Sequence, residues 1–188
     1  RTRDGRIRQY GAVHESDGEK LGLIESRTES NRLMRTGHGQ GQVYRTTVLA
    51  KLVGLAVVKF STLDPCGMGI EMEAGKPGWY DALNGLPGLF GSSMCETYEL
   101  HRLLTFLIDA TNARPDADLV LPIEQVRLLE QVQQALSDWA DSSDPDRDIV
   151  CWDRMSAARE AYRQDTRLGI VGETRTFACR ELLPMLTD

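Results

Sequence analysis

The sequence predicts an all-α fold, and three observations support this prediction. About five segments repeat apolar residues at three- and four-residue spacing, which is the period of a helix that buries one or more faces. No stretch of useful length alternates apolar and polar residues as a half-buried strand does. The remaining residues are polar or rich in glycine and proline, which is typical of loops.

Residues 1–41 contain few apolar residues and are punctuated by glycine, so we predict mostly loop there. The first helix is predicted over residues 42–63, where apolar residues occur on most of the helix surface. A helix of this kind is normally buried between neighbours, and the proline of Asp64-Pro65 should end it. Because the chain starts at Arg1 rather than Met, we expect it to be a piece of a longer protein.

Residues 64–94 have a different composition and form the predicted active-site loop. Seven of the 17 glycines and three of the seven prolines lie in these 31 residues, which show no clear period. Long ordered loops inside a domain are often functional. Three carboxylates, those of Glu71, Glu73 and Asp81, lie within eleven residues of this loop.

Residues 95–188 are predicted to be helical apart from short connections. Ser93 and Glu96 have the spacing of a capping box, and an apolar stripe begins at Leu100. Pro122 suits the first turn of the next helix. Two further helices are predicted over about residues 149–167 and 173–185.

Composition excludes several classes of function. The formal charge of −6 argues against nucleic acid as the main ligand, since polyanion binding requires a basic surface. No apolar run is long enough to span a bilayer, so no membrane partner is expected. The four cysteines and three histidines lack metal-site spacing, so we expect no metal and four free thiols in the reducing cytoplasm.

The aromatic part of the glycine-rich loop indicates carbohydrate chemistry. A sugar ring stacks its apolar face on indole or phenol, as Trp79 and Tyr80 could provide, while carboxylates and amides such as Asn84 bind its hydroxyls. Glycoside cleavage also needs a carboxylic acid with a raised pKa in a partly apolar pocket, and Asp81 is a candidate. Alternatively, Trp79 and Tyr80 are core anchors and Asp81 caps a helix beginning near Ala82.

Residues 79–84 read W-Y-D-A-L-N and resemble the W-N-D-G-M-N signature of cellobiose phosphorylases and related inverting glycoside phosphorylases. They depart from it at Tyr80, Ala82 and Leu83, which stand where the signature has Asn, Gly and Met. Two longer stretches are similar to bacterial proteins described as cellobiose-phosphorylase-like. They read G-K-P-G-W-Y-D-A-L-N-G-L-P-G-L-F-G-S-S-M and T-G-H-G-Q-G-Q-V-Y-R-T-T, and the similarity covers much of residues 1–110.

This resemblance implies an (α/α)6 barrel, of which residues 1–188 would form one part of a single catalytic domain. It implies that Asp81 is the general acid, that Trp79 helps to form a sugar subsite and that Asn84 belongs to the same motif. The implied reaction is inverting phosphorolysis of a β-linked glucoside such as cellobiose, with inorganic phosphate as co-substrate and no cofactor. Since about twelve helices of ordinary length need more than 188 residues, the helix over residues 42–63 should expose apolar faces.

Two other functions remain open. An inverting β-glucan hydrolase or transglycosylase would need a second carboxylate about 6.5–9.5 Å from the acid, and Glu71 and Glu73 are candidates for it or for sugar contacts. A carbohydrate-binding or structural remnant would not catalyse a reaction.

Lys76 is a candidate phosphate ligand or salt-bridge partner, and His38 is a candidate sugar or phosphate contact or an ordinary loop histidine. The stretch G-H-G-Q-G of residues 37–41 either binds an anion or simply turns the chain into the helix. The oligomeric state leaves no mark on the sequence.

Overall fold

The structure, a computed structural model, describes residues 17–71 and 92–187 of the chain. These ranges contain seven helices and four short strands. The helices are α1 (Gly18–Glu25), α2 (Val48–Phe60), α3 (Met94–Ala113), α4 (Ile123–Asp141), α5 (Arg147–Asp165), α6 (Cys179–Leu182) and α7 (Pro184–Thr187). The strands are β1 (Ile70–Glu71), β2 (Ser92–Ser93), β3 (Asp118–Pro122) and β4 (Thr174–Ala178).

The prediction of an all-α chain that forms part of an (α/α)6 barrel is wrong. The described residues combine their helices with two small antiparallel sheets, β1 with β2 and β3 with β4. In the second sheet Asp118 pairs with Ala178 and Pro122 with Thr174, so the whole of both strands is paired. The helix predicted over residues 173–185 is therefore a strand over its first part, followed by the short helices α6 and α7.

The physical reason lies in the length and the burial of the second sheet. Along β3, Leu119 and Leu121 are buried while Val120 between them is exposed, which is a strand period in only five residues. In β4 only Phe177 is buried, and the guanidinium of Arg175 lies over its ring at 4.6 Å. Neither strand is stable alone, and its partner lies two helices away in the chain, so local periodicity could not reveal the pairing.

Helix α2 starts later than predicted because Thr47 caps it. The Thr47 hydroxyl accepts a hydrogen bond from the Ala50 N–H at 3.2 Å, so helical geometry begins at Val48 instead of residue 42. Four side chains of α2 are buried, but Val48 and Leu55 are 76% and 52% exposed. This helix therefore has an uncovered apolar face among the described residues.

One hydrophobic core joins the longer helices. Helix α4 packs along α5, and α2 packs against both α3 and α4. The buried Gln125 side chain of α4 donates to the Ala50 carbonyl oxygen of α2 at 3.1 Å, passing over Gly54, where a Cβ atom would crowd it. The most deeply buried apolar side chains include Val53, Ala56, Ile70, Leu107, Leu119, Leu121, Val126, Leu128, Cys179 and Leu182.

The first described segment is a two-turn helix followed by turns. The Asp17 carboxylate caps α1 and also accepts a hydrogen bond from Arg167 at 2.6 Å, which ties α1 to the end of α5. Residues 26–47 form turns and one isolated bridge between Arg35 and Val43. Within the described ranges, no helix combines the length and the apolar character that crossing a membrane would require.

Candidate functional site at the base of the glycine-rich segment

The predicted site residues divide into two groups. Glu71 and His38 lie in the described part of the chain. The predicted general acid and five of the predicted substrate contacts lie outside the described residues; they are Asp81, Trp79, Tyr80, Asn84, Glu73 and Lys76. The described geometry therefore concerns the base from which the predicted catalytic segment, residues 72–91, departs and to which it returns.

The sheet of β1 and β2 joins the two ends of this segment. Ile70 pairs with Ser93, and Glu71 pairs with Ser92. Ser93 also caps α3, since its hydroxyl accepts from the Glu96 N–H at 3.3 Å. Glu71 and Ser92 are paired, and α3 begins directly after β2. The two residues that flank the 20 residues between them therefore lie side by side in the fold.

Asp64 holds this base from the turn that follows α2. Its Oδ2 accepts a hydrogen bond from the Ser92 hydroxyl at 2.5 Å, and its Oδ1 accepts from the N–H groups of Cys66 and Met68 at 2.8 and 3.2 Å. Burial would raise the pKa of Asp64, but these hydrogen bonds outweigh it and hold the pKa below its ordinary value. Asp64 is therefore an ionised anchor that connects the turn to β2.

Glu71 is buried, with only 2% of its surface exposed to solvent. Its N–H donates to the Thr62 carbonyl oxygen at 2.7 Å, and its Oε1 accepts from the indole N–H of Trp152 at 2.8 Å. A buried carboxylate needs such partners, because burying a charged group without hydrogen bonds costs far more free energy than burying a neutral polar group. Glu71 is thus placed to anchor the start of the segment against α5.

His38 lies elsewhere in the fold and is exposed. Its backbone has a φ of 51°, and its N–H donates to the Ile170 carbonyl oxygen at 3.1 Å, beyond the end of α5. Glu71 instead contacts Trp152 in the first half of α5, so the described contacts do not bring these two predicted site residues together.

The glycines around His38 turn the chain and do not offer an anion cradle. Every backbone N–H from Gly37 to Gly41 donates to a carbonyl oxygen of the chain, those of Thr36, Gly37, Ile170 and Val171. Gly39 has a φ of 89°, and a Cβ atom there would collide with the Leu168 carbonyl oxygen. The ordinary interpretation of these glycines is therefore the correct one.

Sequence reasoning missed the α5 residues that support the base. Trp152, Ser156 and Arg159 lie on one face of the helix, four and three residues apart. Arg159 is fully buried, and its Nη1 donates to the Ser61 carbonyl oxygen at 2.9 Å. The sequence signal for this support was the spacing of Trp152 and Arg159, which places them on one face of a helix whose apolar pattern is otherwise weak.

The described residues offer no preformed metal centre. Among residues 17–71 and 92–187, no group of three or more His, Cys, Asp or Glu side chains is arranged to hold a metal ion. The thiols of Cys66 and Cys95 are free and exposed, and those of Cys151 and Cys179 are free and buried.

No protein-family model matches this chain, and no curated protein is significantly similar to it. The resemblance to cellobiose phosphorylases, and the activity that it implies, therefore stay predictions.

Proposed function

We propose that this chain belongs to a carbohydrate-active enzyme that cleaves a β-linked glucoside by inverting phosphorolysis. The observation that supports the proposal is the pairing of Glu71 with Ser92 in the β1–β2 sheet. These two residues flank the stretch of sequence that contains W-Y-D-A-L-N, and the hydrogen bonds of Glu71 with Trp152 and of Ser92 with Asp64 hold them in place. A catalytic group must be held in place relative to its substrate, and ends anchored on rigid elements support that.

In this proposal Asp81 donates a proton to the glycosidic oxygen as the bond to the anomeric carbon breaks. Inorganic phosphate attacks that carbon from the opposite face, so the products are a sugar phosphate of inverted configuration and a shortened sugar. Phosphate is itself the nucleophile, and the reaction therefore needs no protein base, metal or organic cofactor. Trp79 and Tyr80 would stack on the sugar, Asn84 would bind hydroxyls and Lys76 would attract the phosphate.

The described position of Glu71 favours phosphorolysis over hydrolysis. An inverting hydrolase needs a second carboxylate that contacts water on the far side of the sugar. Glu71 is 2% exposed and its carboxylate accepts the Trp152 indole N–H, so it is poorly placed to activate water. Glu73 is the other carboxylate of the loop, and a hydrolase would have to rely on it or on a residue elsewhere.

The proposed setting is the cytoplasm, with an oligosaccharide and phosphate as partners. Two exposed free thiols, Cys66 and Cys95, fit a reducing compartment. The net charge of −6 does not favour nucleic acid.

The test is phosphate dependence combined with one substitution. The purified chain is incubated with cellobiose, laminaribiose or sophorose, with and without phosphate, and the released glucose is measured. We expect cleavage of at least one disaccharide only with phosphate, and its loss in Asp81→Asn. The matched control is Asp109→Asn, an exposed carboxylate on α3, which should behave as the wild type.

Three outcomes would contradict the proposal. Equal cleavage without phosphate would indicate a hydrolase. Full turnover by Asp81→Asn would exclude Asp81 as the acid. Saturable sugar binding without any cleavage by the wild type would indicate a binding module.

A further inference from the structure

A second feature of the site is a cleft beside the β1–β2 sheet. It has a volume of about 350 Å³ and lies between the turn after α2, the end of α4 and the first half of α5. This volume is at the lower end of the range for small-molecule sites, about 300–1,000 Å³. The residues that matter for its chemistry are Asp64, Trp139, Arg147, Asp148, Trp152 and Met155.

We propose that this cleft is a carbohydrate subsite that binds one pyranose unit of a neutral oligosaccharide. The proposal rests on the proposed function for the class of ligand, and on the cleft itself for the place and the contacts. It assigns substrate binding to the α4–α5 pair, which the sequence motif does not include.

Two indole rings line the cleft, and each is oriented by a carboxylate. The Trp152 N–H donates to Glu71 Oε1 at 2.8 Å, and the Trp139 N–H donates to Asp148 Oδ1 at 2.6 Å. Because both indole N–H groups already have acceptors, the rings contribute apolar surface to the cleft rather than unpaired donors. Flat aromatic surface, together with an apolar side chain such as Met155 in the same cleft, suits the C–H face of a pyranose.

The polar groups of the cleft have mixed charge. The Arg147 guanidinium lies over the Trp139 ring at 4.8 Å, and its Nη1 donates to the Ser142 carbonyl oxygen at 3.1 Å. A guanidinium has five N–H donors, more than this one bond uses. With the carboxylate of Asp148 beside it, the rim offers both donors and acceptors but no excess of positive charge. Hydroxyl groups fit such a rim better than a phosphate or another anion does.

The cleft is also continuous with the base of the predicted catalytic segment. Asp64 lines the cleft and bonds to Ser92, and Trp152 lines it and bonds to Glu71. Each end of residues 72–91 therefore has an anchor that is also a wall of the cleft. A sugar bound here would contact the same side chains that fix the segment carrying Asp81.

Two other cavities lack this combination. One of about 250 Å³ is lined almost entirely by aliphatic and phenyl groups, including Ala56, Leu104 and Met185. Another of about 540 Å³ has polar walls, including Glu130 and Gln134, but no aromatic ring. A further cavity of about 220 Å³ shares Trp139 and Arg147 with the cleft but has no second aromatic ring. Only the Trp139–Trp152 cleft, among these four, combines two indole rings with a polar rim.

The test follows the indole N–H signals of the chain by nitrogen–proton correlation NMR during titration with cellotriose. The chain has three tryptophans, and Trp→Phe substitutions assign their signals. We expect saturable shifts of the Trp139 and Trp152 signals, with or without phosphate and also in Asp81→Asn. Trp139→Ala should weaken the binding that the Trp152 signal reports about tenfold. Tyr98→Ala, which removes an exposed ring on α3, is the matched control and should leave it unchanged.

Arg147→Gln provides a second variant that keeps both indoles, and it should also weaken binding. Cleavage of cellotriose with no shift of these two signals would overturn the subsite and leave the proposed function standing. Saturable shifts without cleavage would support the subsite and contradict the proposed function. Absence of both shifts and cleavage overturns both proposals. Equal affinity of the wild type, Trp139→Ala and Arg147→Gln for cellotriose overturns the subsite alone.

Discussion

Replacing Asp64 with alanine tests whether this carboxylate holds the base of the glycine-rich segment. The substitution removes the acceptor for the Ser92 hydroxyl and for the N–H groups of Cys66 and Met68. Asp64 is only 8% exposed, so water replaces these bonds incompletely. A hydrogen bond to a charged group contributes about 1.5–3 kcal/mol, so even with partial replacement by water we expect the loss of three such bonds to cost at least about 3 kcal/mol. For a chain with ordinary stability of about 5–15 kcal/mol, this is a large fraction.

The assay is urea unfolding followed by circular dichroism at about pH 7, which gives the free energy of unfolding. Ser92→Ala removes one of the three bonds and should cost about 1.5–3 kcal/mol, less than Asp64→Ala. Asp109→Ala removes an exposed carboxylate of α3 and should cost less than about 0.5 kcal/mol. If Asp64→Ala were no more destabilising than Asp109→Ala, Asp64 would not be an anchor.

The lowered pKa of Asp64 predicts that the free energy of unfolding depends on pH. Its pKa in the folded chain lies below the ordinary value of 3.8, so its charged form is stabilised by folding. This contribution is complete above 3.8 and is lost as the pH falls through the lower folded pKa. The difference in unfolding free energy between the wild type and Asp64→Asn should therefore shrink as the pH falls below about 4. A constant difference over this range would contradict the assigned ionisation.

Three further substitutions test the rest of the fold. Gly39→Ala should lower the free energy of unfolding by about 1–3 kcal/mol, because Gly39 has a φ of 89° and a Cβ atom there would collide with the Leu168 carbonyl oxygen. Gly22→Ala, on the open face of α1, is the control and should be neutral or stabilising in the same urea assay. Leu121→Ala should cost about 2–5 kcal/mol and the exposed Val120→Ala less than about 1, and equal costs would contradict the observed face of β3. Trp152→Phe removes the indole N–H that donates to buried Glu71 and should lower the free energy of unfolding by about 1–3 kcal/mol. Trp139→Phe is the control, because the indole N–H of Trp139 donates to the exposed carboxylate of Asp148 and its loss should cost less. Equal losses would refute the anchoring role of Trp152.

The four long helices, α2 to α5, could be predicted because their signals are local, whereas α1 lies in the part predicted to be mostly loop. Ser93 caps α3 as its spacing indicates, and Pro122 immediately precedes α4. Helix α2 starts at Val48, after the Thr47 cap, although Val43 and Tyr44 extend the apolar spacing of the helix to earlier residues. Propensity alone does not mark such a boundary.

The sheets and the support of the site could not be predicted, since both depend on contacts between distant parts of the chain. Strand β3 finds its partner more than 50 residues later, with α4 and α5 between them. Glu71 appeared in the sequence as one of three carboxylates in a loop, yet its partner Trp152 lies 81 residues away on α5. The identity of Glu71 as an anchor follows from that contact and not from its neighbours in sequence.

The stereochemistry of the product tests the proposed reaction most directly. The chain is incubated with a β-linked glucose disaccharide and phosphate, and the products are followed by phosphorus and proton NMR. Inverting phosphorolysis with Asp81 as the acid predicts the α-anomer of glucose 1-phosphate, formed by the wild type and absent with Asp81→Asn. Formation of free glucose without consumption of phosphate, or of the β-anomer of the sugar phosphate, would contradict it.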